Sequence, residues 1–332
     1  MARSEGMTLV ELDEEGVDKA FRSDVLEGLH QRQKAIPARW LYDDAGSELF
    51  EDITQVPEYY PTRAETEILT ARAEEFAEAI GPGRAVVEFG SGSSVKTPLL
   101  LKAIEQAAYV PLDIAGDFLR EAAAALSAKF SGLPVHPVEA DFMREVDLPE
   151  AVAAMPKLGF FPGSTIGNMV PRTAVDLLRS MRLTLRADHG VQPMLLIGMD
   201  LVKDRETLIA AYDDAGGVTA EFNRNLVRRI NRELGGTVPV DELRHVARWN
   251  DRYARVEMHL EAQSDITFEV SGQRFGMARG ETIHTENSHK FTRRSSLLLL
   301  EACGWSPRKR WLDREERFSL ILAEATDPRN AP

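Results

Sequence analysis

The chain is poor in cysteine and has no excess of positive charge, and both features exclude whole classes of protein. Cys303 is the one cysteine among 332 residues, so neither an internal disulfide nor a multi-cysteine metal site can form. A reducing, cytoplasmic setting is therefore expected. Acidic residues outnumber basic ones by 53 to 40, and the formal net charge is −13. Because phosphate contacts need a basic surface, nucleic acid is not an expected partner.

Long apolar runs are also missing. No segment approaches the roughly 20 apolar residues that span a bilayer, and the first residues lack the apolar core of a signal peptide. We therefore expect neither secretion nor membrane association. The six residues before Met7 show no pattern, so Met7 is an alternative start to Met1. Cys303 follows the apolar run at 297–300 and is expected to be a buried core residue.

A metal site is not expected either. His259, His284 and His289 lack the spacing that is typical of a zinc site, and we interpret them as ordinary surface histidines.

What the sequence does contain is an alternation of short apolar runs with helical patterns. Strand-like runs occupy 84–89, 108–112, 135–138, 158–161 and 194–197. Between them, apolar residues recur at helical spacing, at 119, 123, 126 and 130 and again at 178, 181 and 185. The alternation predicts a doubly wound parallel sheet.

The flanking segments complete this plan. Thr62 and Glu65 have the spacing of a capping box, which predicts a helix over 62–80 before the first strand. After Asp200 the alternation stops, and helical patterns at 205–215 and 218–234 precede extended runs at 254–270 and 275–285. This part predicts an inserted α+β unit. Beyond Arg293, a helix and a strand at 318–323 are expected to complete the sheet.

A glycine-rich turn is the first chemical signal. Gly90 and Gly92 directly follow the first strand run, where they permit a tight turn and close approach of the backbone to a ligand. A dinucleotide fingerprint would have a third glycine where Val95 stands, which disfavours a nicotinamide-dependent oxidoreductase. Asp113 ends the second run and is suited to the hydroxyls of a ribose. The pair Asp141 and Phe142 follows the third run and is suited to an adenine. Together these residues resemble the class I methyltransferases, which bind S-adenosylmethionine.

Four further motifs carry a more specific resemblance. They are WLYDDAGSELFEDITQVPEYYPTR at 40–63, FPGSTIGN at 161–168, LVKD with AYDDAGGVTAEFNRN within 201–225, and TENSHKF at 285–291. In this order and spacing they resemble the L-histidine Nα-methyltransferases of ergothioneine biosynthesis. The resemblance implies three methyl transfers from S-adenosylmethionine to the α-amino nitrogen of L-histidine, giving hercynine.

The resemblance also implies an architecture and a set of site residues. The fold would be an α/β, Rossmann-like class I methyltransferase sheet formed by 64–200 and 293–332. The inserted α+β substrate-binding domain would comprise 10–63 and 201–292. The implied cofactor-binding residues are Tyr42, Gly90, Lys96, Asp113, Asp141 and Phe142. The implied substrate-binding residues are Phe50, Tyr59, Gly163, Thr165, Asn168, Tyr212, Met258, Glu286 and Ser288, with Tyr42, Gly163 and Asn168 closest to the chemistry.

The same residues have plainer interpretations. Phe50, Tyr59 and Tyr60 could be core aromatics, and Met258 could be filler on the inner face of a strand. Asn168 could cap the turn before Pro171. Glu286 and Lys290 could form an exposed pair that contributes little.

Two rivals retain the cofactor: an enzyme for tryptophan or another aromatic amino acid, and a module that binds without catalysis. The expected partners are L-histidine and its mono- and dimethylated forms. A downstream sulfoxide synthase is expected only through the shared pathway.

Overall fold

The computed structural model describes residues 12–13, 16–92, 96–114, 116–186 and 191–326. Met7, Val95 and the outer limits of the predicted domains at 10 and 332 lie outside the described residues. The chain divides into two compact units. Unit A comprises Met1–Tyr60 and Lys203–His289, and unit B comprises Pro61–Val202 and Lys290–Pro332. These units divide at 60/61, 202/203 and 289/290, whereas the predicted domains divide at 63/64, 200/201 and 292/293.

The described helices and strands follow in chain order. The α-helices are α1 (Lys19–His30), α2 (Asp44–Gln55), α3 (Tyr60–Ala71), α4 (Ala73–Ile80), α5 (Thr97–Ala103), α6 (Gly116–Lys129), α7 (Glu150–Ala153), α8 (Pro171–Thr184), α9 (Arg205–Ala210), α10 (Val218–Glu233) and α11 (Arg293–Ala302). Short 3₁₀ helices occupy Ala38–Leu41, Thr165–Asn168 and Val240–Glu242. The strands are β1 (Lys34–Ala35), β2 (Arg84–Phe89), β3 (Gln106–Asp113), β4 (Val138–Glu139), β5 (Lys157–Phe161), β6 (Met194–Asp200), β7 (Leu243–Asn250), β8 (Arg255–Ala262), β9 (Ile266–Val270), β10 (Gln273–Met277), β11 (Thr282–His289), β12 (Trp305–Leu312) and β13 (Phe318–Ala325).

The described part of unit B is built on a seven-stranded sheet with the order β12-β13-β6-β5-β2-β3-β4. Strands β2 to β6 are parallel to one another, whereas β13 is antiparallel to its neighbours β6 and β12. All residues of β2 and β5 are buried, as expected for parallel strands covered on both faces. The predicted doubly wound sheet is therefore confirmed. The strand order reverses between β2 and β5, because β3 and β4 lie on one side of β2 whereas β5 and β6 lie on the other. Ligands of such sheets bind beyond the carboxyl ends of the strands at this point.

Several predicted details of unit B differ from the structure. The capping box is wrong, because α3 begins at Tyr60 and Thr62 lies within its first turn. The helix predicted over 62–80 is interrupted at Arg72, which has φ −115 and separates α3 from α4. Leu126 on α6 and Phe130 directly after it are only half-buried, so fewer residues of the predicted apolar stripe are buried than expected. The edge strand β12 was not predicted, because its exposed edge carries the basic residues of SPRKR rather than an apolar run.

In unit A, the described residues form a four-stranded sheet and a separate hairpin. The sheet order is β1-β11-β8-β7, in which β8 is antiparallel to both β7 and β11, and β9 pairs with β10. Helix α10 packs on β7 and β8 through its apolar face, where Phe222, Leu226 and Ile230 are buried. The α+β character predicted for this segment is confirmed, although β7 was missed because charged and polar residues interrupt its apolar positions.

The histidines and the cysteine provide one correction and one confirmation. His259 and His289 are 5% and 8% exposed, so their interpretation as surface residues is wrong. His259 instead stacks on His284, with ring centroids 4.7 Å apart. Cys303 is buried as predicted. Within the part of the chain that the structure describes, no histidine, cysteine and carboxylate group forms a candidate metal cluster. None of the described helices combines the length and apolar character needed to cross a membrane.

Candidate active site

The glycine turn of unit B leads out of the carboxyl end of β2. Gly90 has φ +72, which favours glycine, and a Cβ there would lie 3.4 Å from the Phe142 ring. The N–H of Gly92 donates to Oδ2 of Asp113 at 3.1 Å. The structure therefore brings together three predicted cofactor residues: Gly90, Asp113 and Phe142. The missing glycine side chain keeps this strand end open, as a nucleoside-binding turn requires.

Glu88, the acid that precedes this turn, has a different environment. It is fully buried, and its Oε2 accepts hydrogen bonds of 2.6 Å from both Thr97 Oγ1 and Tyr109 Oη. Burial, together with the Glu88 carboxylate, raises the pKa of Tyr109, so that the hydroxyl remains a donor. These bonds join β2, β3 and the start of α5. Glu88 therefore supports the turn from inside unit B.

The segment after β4 places Asp141 and Phe142 at the same end of the sheet. Asp141 Oδ1 accepts from the Met143 N–H at 3.0 Å, which fixes the local turn. The Phe142 ring packs edge-on against Phe89 and Phe161, at centroid distances of 6.2 and 6.3 Å. Phe142 thus presents an aromatic ring beside Gly90.

Lys96 and Gly163 share a buried partner. Lys96 Nζ lies 2.7 Å from Oε2 of Glu65, a carboxylate with no exposed surface. The Gly163 N–H donates to the same carboxylate, at 2.9 and 3.2 Å from its two oxygens. Glu65 thus ties together the loops that follow β2 and β5. Its apparent role in a capping box concealed this function in the sequence.

The FPGSTIGN loop contains the other predicted unit B residues. Gly163 and Ser164 have φ +78 and +55, and the Ser164 hydroxyl accepts from the Asp200 N–H at 2.9 Å. Thr165 Oγ1 donates to the Pro162 carbonyl at 3.0 Å. Asn168 ends the 3₁₀ helix that follows. Helix α8 begins after Val170, which is its N-cap residue.

Strand β11 of unit A carries Glu286 and Ser288, which are 7% and 4% exposed. They are two residues apart and so lie on one face of the strand. Met258 on β8 is the register partner of Glu286, which places its side chain on that same face. The register shifts between His284 and Glu286, so this alignment depends on an irregularity that the sequence did not predict.

Two tyrosine hydroxyls lie against these polar residues. Tyr212 Oη is 2.7 Å from Ser288 Oγ, and Tyr42 Oη donates to Glu286 Oε1 at 3.4 Å. Tyr42 exposes 38% of its surface, but burial of the hydroxyl end raises its pKa, and the Glu286 carboxylate raises it further. The Tyr42 hydroxyl therefore stays protonated at neutral pH and remains a donor.

The remaining predicted residues of unit A complete an aromatic cluster around these hydroxyls. Phe50 lies 5.6 Å from Tyr42 and 6.2 Å from Tyr59, and Tyr59 lies 6.2 Å from Tyr212, between ring centroids. Phe222, on α10, contacts both Tyr42 and Phe50. Phe222 was missed because its position matches the apolar stripe of an ordinary helix. The helical packing and the aromatic cluster use the same side chain.

The segment that carries Tyr42 is anchored to α10. Asp43 caps α2, and its Oδ1 accepts from Gly46 N–H at 2.9 Å and from Asn225 Nδ2 at 2.6 Å. Arg232 binds the other carboxylate oxygen at 2.6 Å. Burial alone would raise the pKa of Asp43, but these hydrogen bonds hold it below its ordinary value. Asp43 therefore remains a charged anchor beside Tyr42.

A second buried ion pair was also missed. Lys290 Nζ lies 2.7 Å from Asp200 Oδ2, and both side chains are buried. The alternative of an exposed Glu286–Lys290 pair is therefore wrong. Asp200 and Lys290 are separated by 90 positions, and nothing in the local sequence indicates that they meet.

The fold and the glycine turn of unit B together define a class. A largely parallel sheet with the antiparallel strand β13 next to its edge, glycines after β2 and acids at or after the ends of β3 and β4 is the class I methyltransferase plan anticipated from the motifs. The chain belongs to the family of histidine-specific, S-adenosylmethionine-dependent methyltransferases, whose family model matches residues 21–325. It is therefore an N-methyltransferase that uses S-adenosylmethionine as its methyl donor.

Individual relatives agree with this assignment. The histidine N-alpha-methyltransferase of Mycobacterium tuberculosis is 41% identical over 325 residues, covering 94% of this chain and 97% of that protein. The protein of the same name from Mycolicibacterium smegmatis is 40% identical, covering 92% and 95%. A more distant relative is the 4-dimethylallyltryptophan N-methyltransferase of Epichloe festucae var. lolii, which is 26% identical and covers 87% and 90%.

Proposed function

We propose that this enzyme methylates the α-amino nitrogen of L-histidine three times, giving hercynine for ergothioneine biosynthesis. The observation that carries the proposal is the pair Glu286 and Ser288, buried side by side on β11 and each within reach of a tyrosine hydroxyl. The relatives named for histidine N-alpha-methylation support the same substrate.

The polar pair suits an imidazole. A carboxylate accepts hydrogen bonds only, a hydroxyl both donates and accepts, and imidazole offers a donor nitrogen and an acceptor nitrogen on one planar ring. Glu286 would accept a hydrogen bond from one ring nitrogen, and the Ser288 hydroxyl would form a hydrogen bond at the same edge of the ring. A side chain without such a donor would leave the buried Glu286 without its ligand hydrogen bond, which costs about 1–3 kcal/mol or more. The aromatic cluster and Met258 would hold the ring plane.

The other end of the amino acid needs donors for its carboxylate and acceptors for its amine. From the motif resemblance we assign Asn168 and Tyr212 to the carboxylate, and Tyr59 and Thr165 to the same end of the amino acid. The Gly163 N–H is bound to Glu65, so a contact of Gly163 with the amine falls to its carbonyl. An acceptor at the amine aims the nitrogen lone pair, which direct displacement requires.

Residues of unit B would hold the cofactor. The turn at Gly90 and Gly92 would lie against the nucleoside, Asp113 would accept from the ribose, and Asp141 with Phe142 would contact the adenine. Lys96 would complete the contacts of unit B, and the motif resemblance assigns Tyr42 of unit A to the cofactor as well. When bound, S-adenosylmethionine supplies an electrophilic methyl group attached to a sulfonium.

The amine must lose its proton before it can attack. An α-amino group at a chain terminus has a pKa of about 7.7 to 8.0, and the neighbouring carboxylate of a free amino acid raises it, so a minor fraction of the substrate is neutral near pH 7.5. Each of the first two transfers leaves an N–H whose proton is lost to restore the lone pair. The third transfer leaves a quaternary nitrogen with no lone pair, and the reaction stops there.

The proposal is tested by incubating the enzyme with S-adenosylmethionine and L-histidine and following products by mass spectrometry. We expect successive additions of one, two and three methyl groups, all on the α-nitrogen by fragmentation. Tryptophan, tyrosine and phenylalanine are the matched comparison substrates, because the relative that acts on a tryptophan derivative favours an indole as the second candidate. Faster turnover of tryptophan than of histidine would overturn the choice of substrate, and a final monomethyl product would overturn trimethylation.

A further inference from the structure

Glu65 is a buried carboxylate that the mechanism above does not use. It lies in α3 with no exposed surface, and it contacts Lys96 Nζ at 2.7 Å and the Gly163 N–H at 2.9 Å. A buried charge with one partner removed is strongly unfavourable, so the two groups that share this carboxylate are held tightly to it. We propose that Glu65 is a positioning residue for methyl transfer, acting through Lys96 and Gly163.

The argument begins with the sheet. Strands β2 and β5 are adjacent and parallel, with Val86 opposite Leu158, so their following loops leave the same edge. Lys96 is in the first of these loops and Gly163 in the second. Loops are more mobile than the strands that support them. A shared carboxylate from a third element therefore fixes the separation of the two loops.

Close packing around the carboxylate restricts its position further. A Cβ at Gly198, on β6, would lie 2.4 Å from Glu65 Oε1, so the glycine leaves room for the carboxylate. A Cβ at Gly163 would lie 3.5 Å from Lys96 Nζ, which shows how closely the two loops approach. Glu65 thus occupies a site that admits one orientation of its side chain.

The consequence for the reaction rests on the proposed function. There, Lys96 contacts the cofactor and the Gly163 carbonyl orients the amine, so the separation of the two loops affects the alignment of donor and acceptor. A misplacement of about 1 Å can reduce a rate by about 100-fold. Glu65 does not itself touch either ligand in this scheme.

The test compares Glu65→Gln and Glu65→Asp with wild type. The amide keeps the shape but loses the charge that holds Lys96, and the shorter carboxylate keeps the charge but cannot reach both loops. We expect kcat to fall about 10- to 100-fold in both variants. The KM for histidine should change less than about threefold, because the polar pair on β11 is intact. If Glu65→Gln fails to fold, Glu65→Asp carries the test.

A double-mutant cycle with Lys96→Met separates positioning from simple stability. If Glu65 acts through Lys96, the loss of S-adenosylhomocysteine affinity in the double variant will be smaller than the sum of the two single losses. Fully additive losses would overturn the proposal, as would a folded Glu65→Asp variant with wild-type kcat.

Cofactor affinity is measured by calorimetry without an amino acid, so this readout does not depend on the choice of histidine. A wild-type enzyme inactive on histidine would refute the proposed function alone, and the cycle would still decide the role of Glu65.

Discussion

The hydroxyl of Tyr212 lies 2.7 Å from the Oγ of Ser288, and both side chains are buried. Tyr212 follows α9, whereas Ser288 is near the end of β11, so the bond joins parts of unit A that are far apart in sequence. We expect this pair to act as one unit in substrate binding. Tyr212→Phe and Ser288→Ala should each raise the KM for histidine about 5- to 13-fold, as the loss of one hydrogen bond of about 1 to 1.5 kcal/mol implies.

The double variant measures the coupling of the pair. The fold-increase in KM of the double variant should be well below the product of the two single increases, because the second substitution removes a hydroxyl whose partner has already been lost. Initial-rate kinetics with histidine provides the comparison. Independent, multiplicative effects would show that the bond has no role in binding.

Glu286 is expected to decide specificity. Glu286→Gln retains the volume but loses the anionic acceptor, so the KM for histidine should rise by about 10- to 100-fold, the equivalent of about 1.4–2.7 kcal/mol. The enzyme should also discriminate less between histidine and phenylalanine. Glu281→Gln is the matched control, since Glu281 is an exposed carboxylate beside the same strand. Equal KM values for the two variants would contradict the role given to Glu286.

Asn225 is expected to contribute to stability through the Asp43 anchor. Its side chain is 4% exposed and donates to Asp43 at 2.6 Å, so Asn225→Ala should lower the free energy of unfolding by about 1.5–3 kcal/mol. Arg228→Ala is the control on the same helix, because the Arg228–Glu221 pair is exposed and contributes less than about 1 kcal/mol. Urea denaturation measures both. The interpretation fails if the two losses are equal.

His259 predicts a dependence of stability on pH. Burial, together with the charge of His284, lowers the pKa of His259 to about 4, whereas unfolding restores a value near 6.5. As pH falls below 6.5, the unfolded chain therefore takes up a proton that the folded chain does not. Stability should be full above that pH and should be lost between pH 6.5 and 4, by up to about 1.4 kcal/mol per pH unit.

This dependence is measured by urea denaturation at several pH values between 7 and 5. The pKa values of His245 and His284 are also lowered, chiefly by burial, so they add to the same trend. The difference between wild type and His259→Gln isolates the contribution of His259. A variant with an unchanged slope would show that His259 does not carry the effect.

Local patterns predicted much of the fold. Apolar runs and helical spacing were sufficient for β2, β5, β6 and α8, because a buried parallel strand and an amphipathic helix each carry their burial pattern in the adjacent residues. Polar or basic strands such as β7 and β12 were missed. Their burial depends on neighbouring strands, and the pattern of adjacent residues carries no information about those neighbours.

The candidate site divides in the same way. Glycines after a strand and acids at strand ends are local signals, and the resemblance of the motif at 285–291 was sufficient to assign Glu286 and Ser288 to the site. Only the tertiary structure revealed that Glu65 joins Lys96 to Gly163, that Phe222 completes the aromatic cluster, and that Lys290 pairs with Asp200. These side chains interact across 31 to 180 positions of sequence.

By itself, the sequence determined the parallel sheet, the family and most of the residues proposed to meet the ligands, because hydrophobic periodicity and motif spacing are properties of neighbouring residues. Tertiary structure alone decided which buried charges are paired and which hydroxyls meet. A buried charge is stable only when its partner is brought to within hydrogen-bond distance, and that encounter is produced by folding rather than by proximity along the chain.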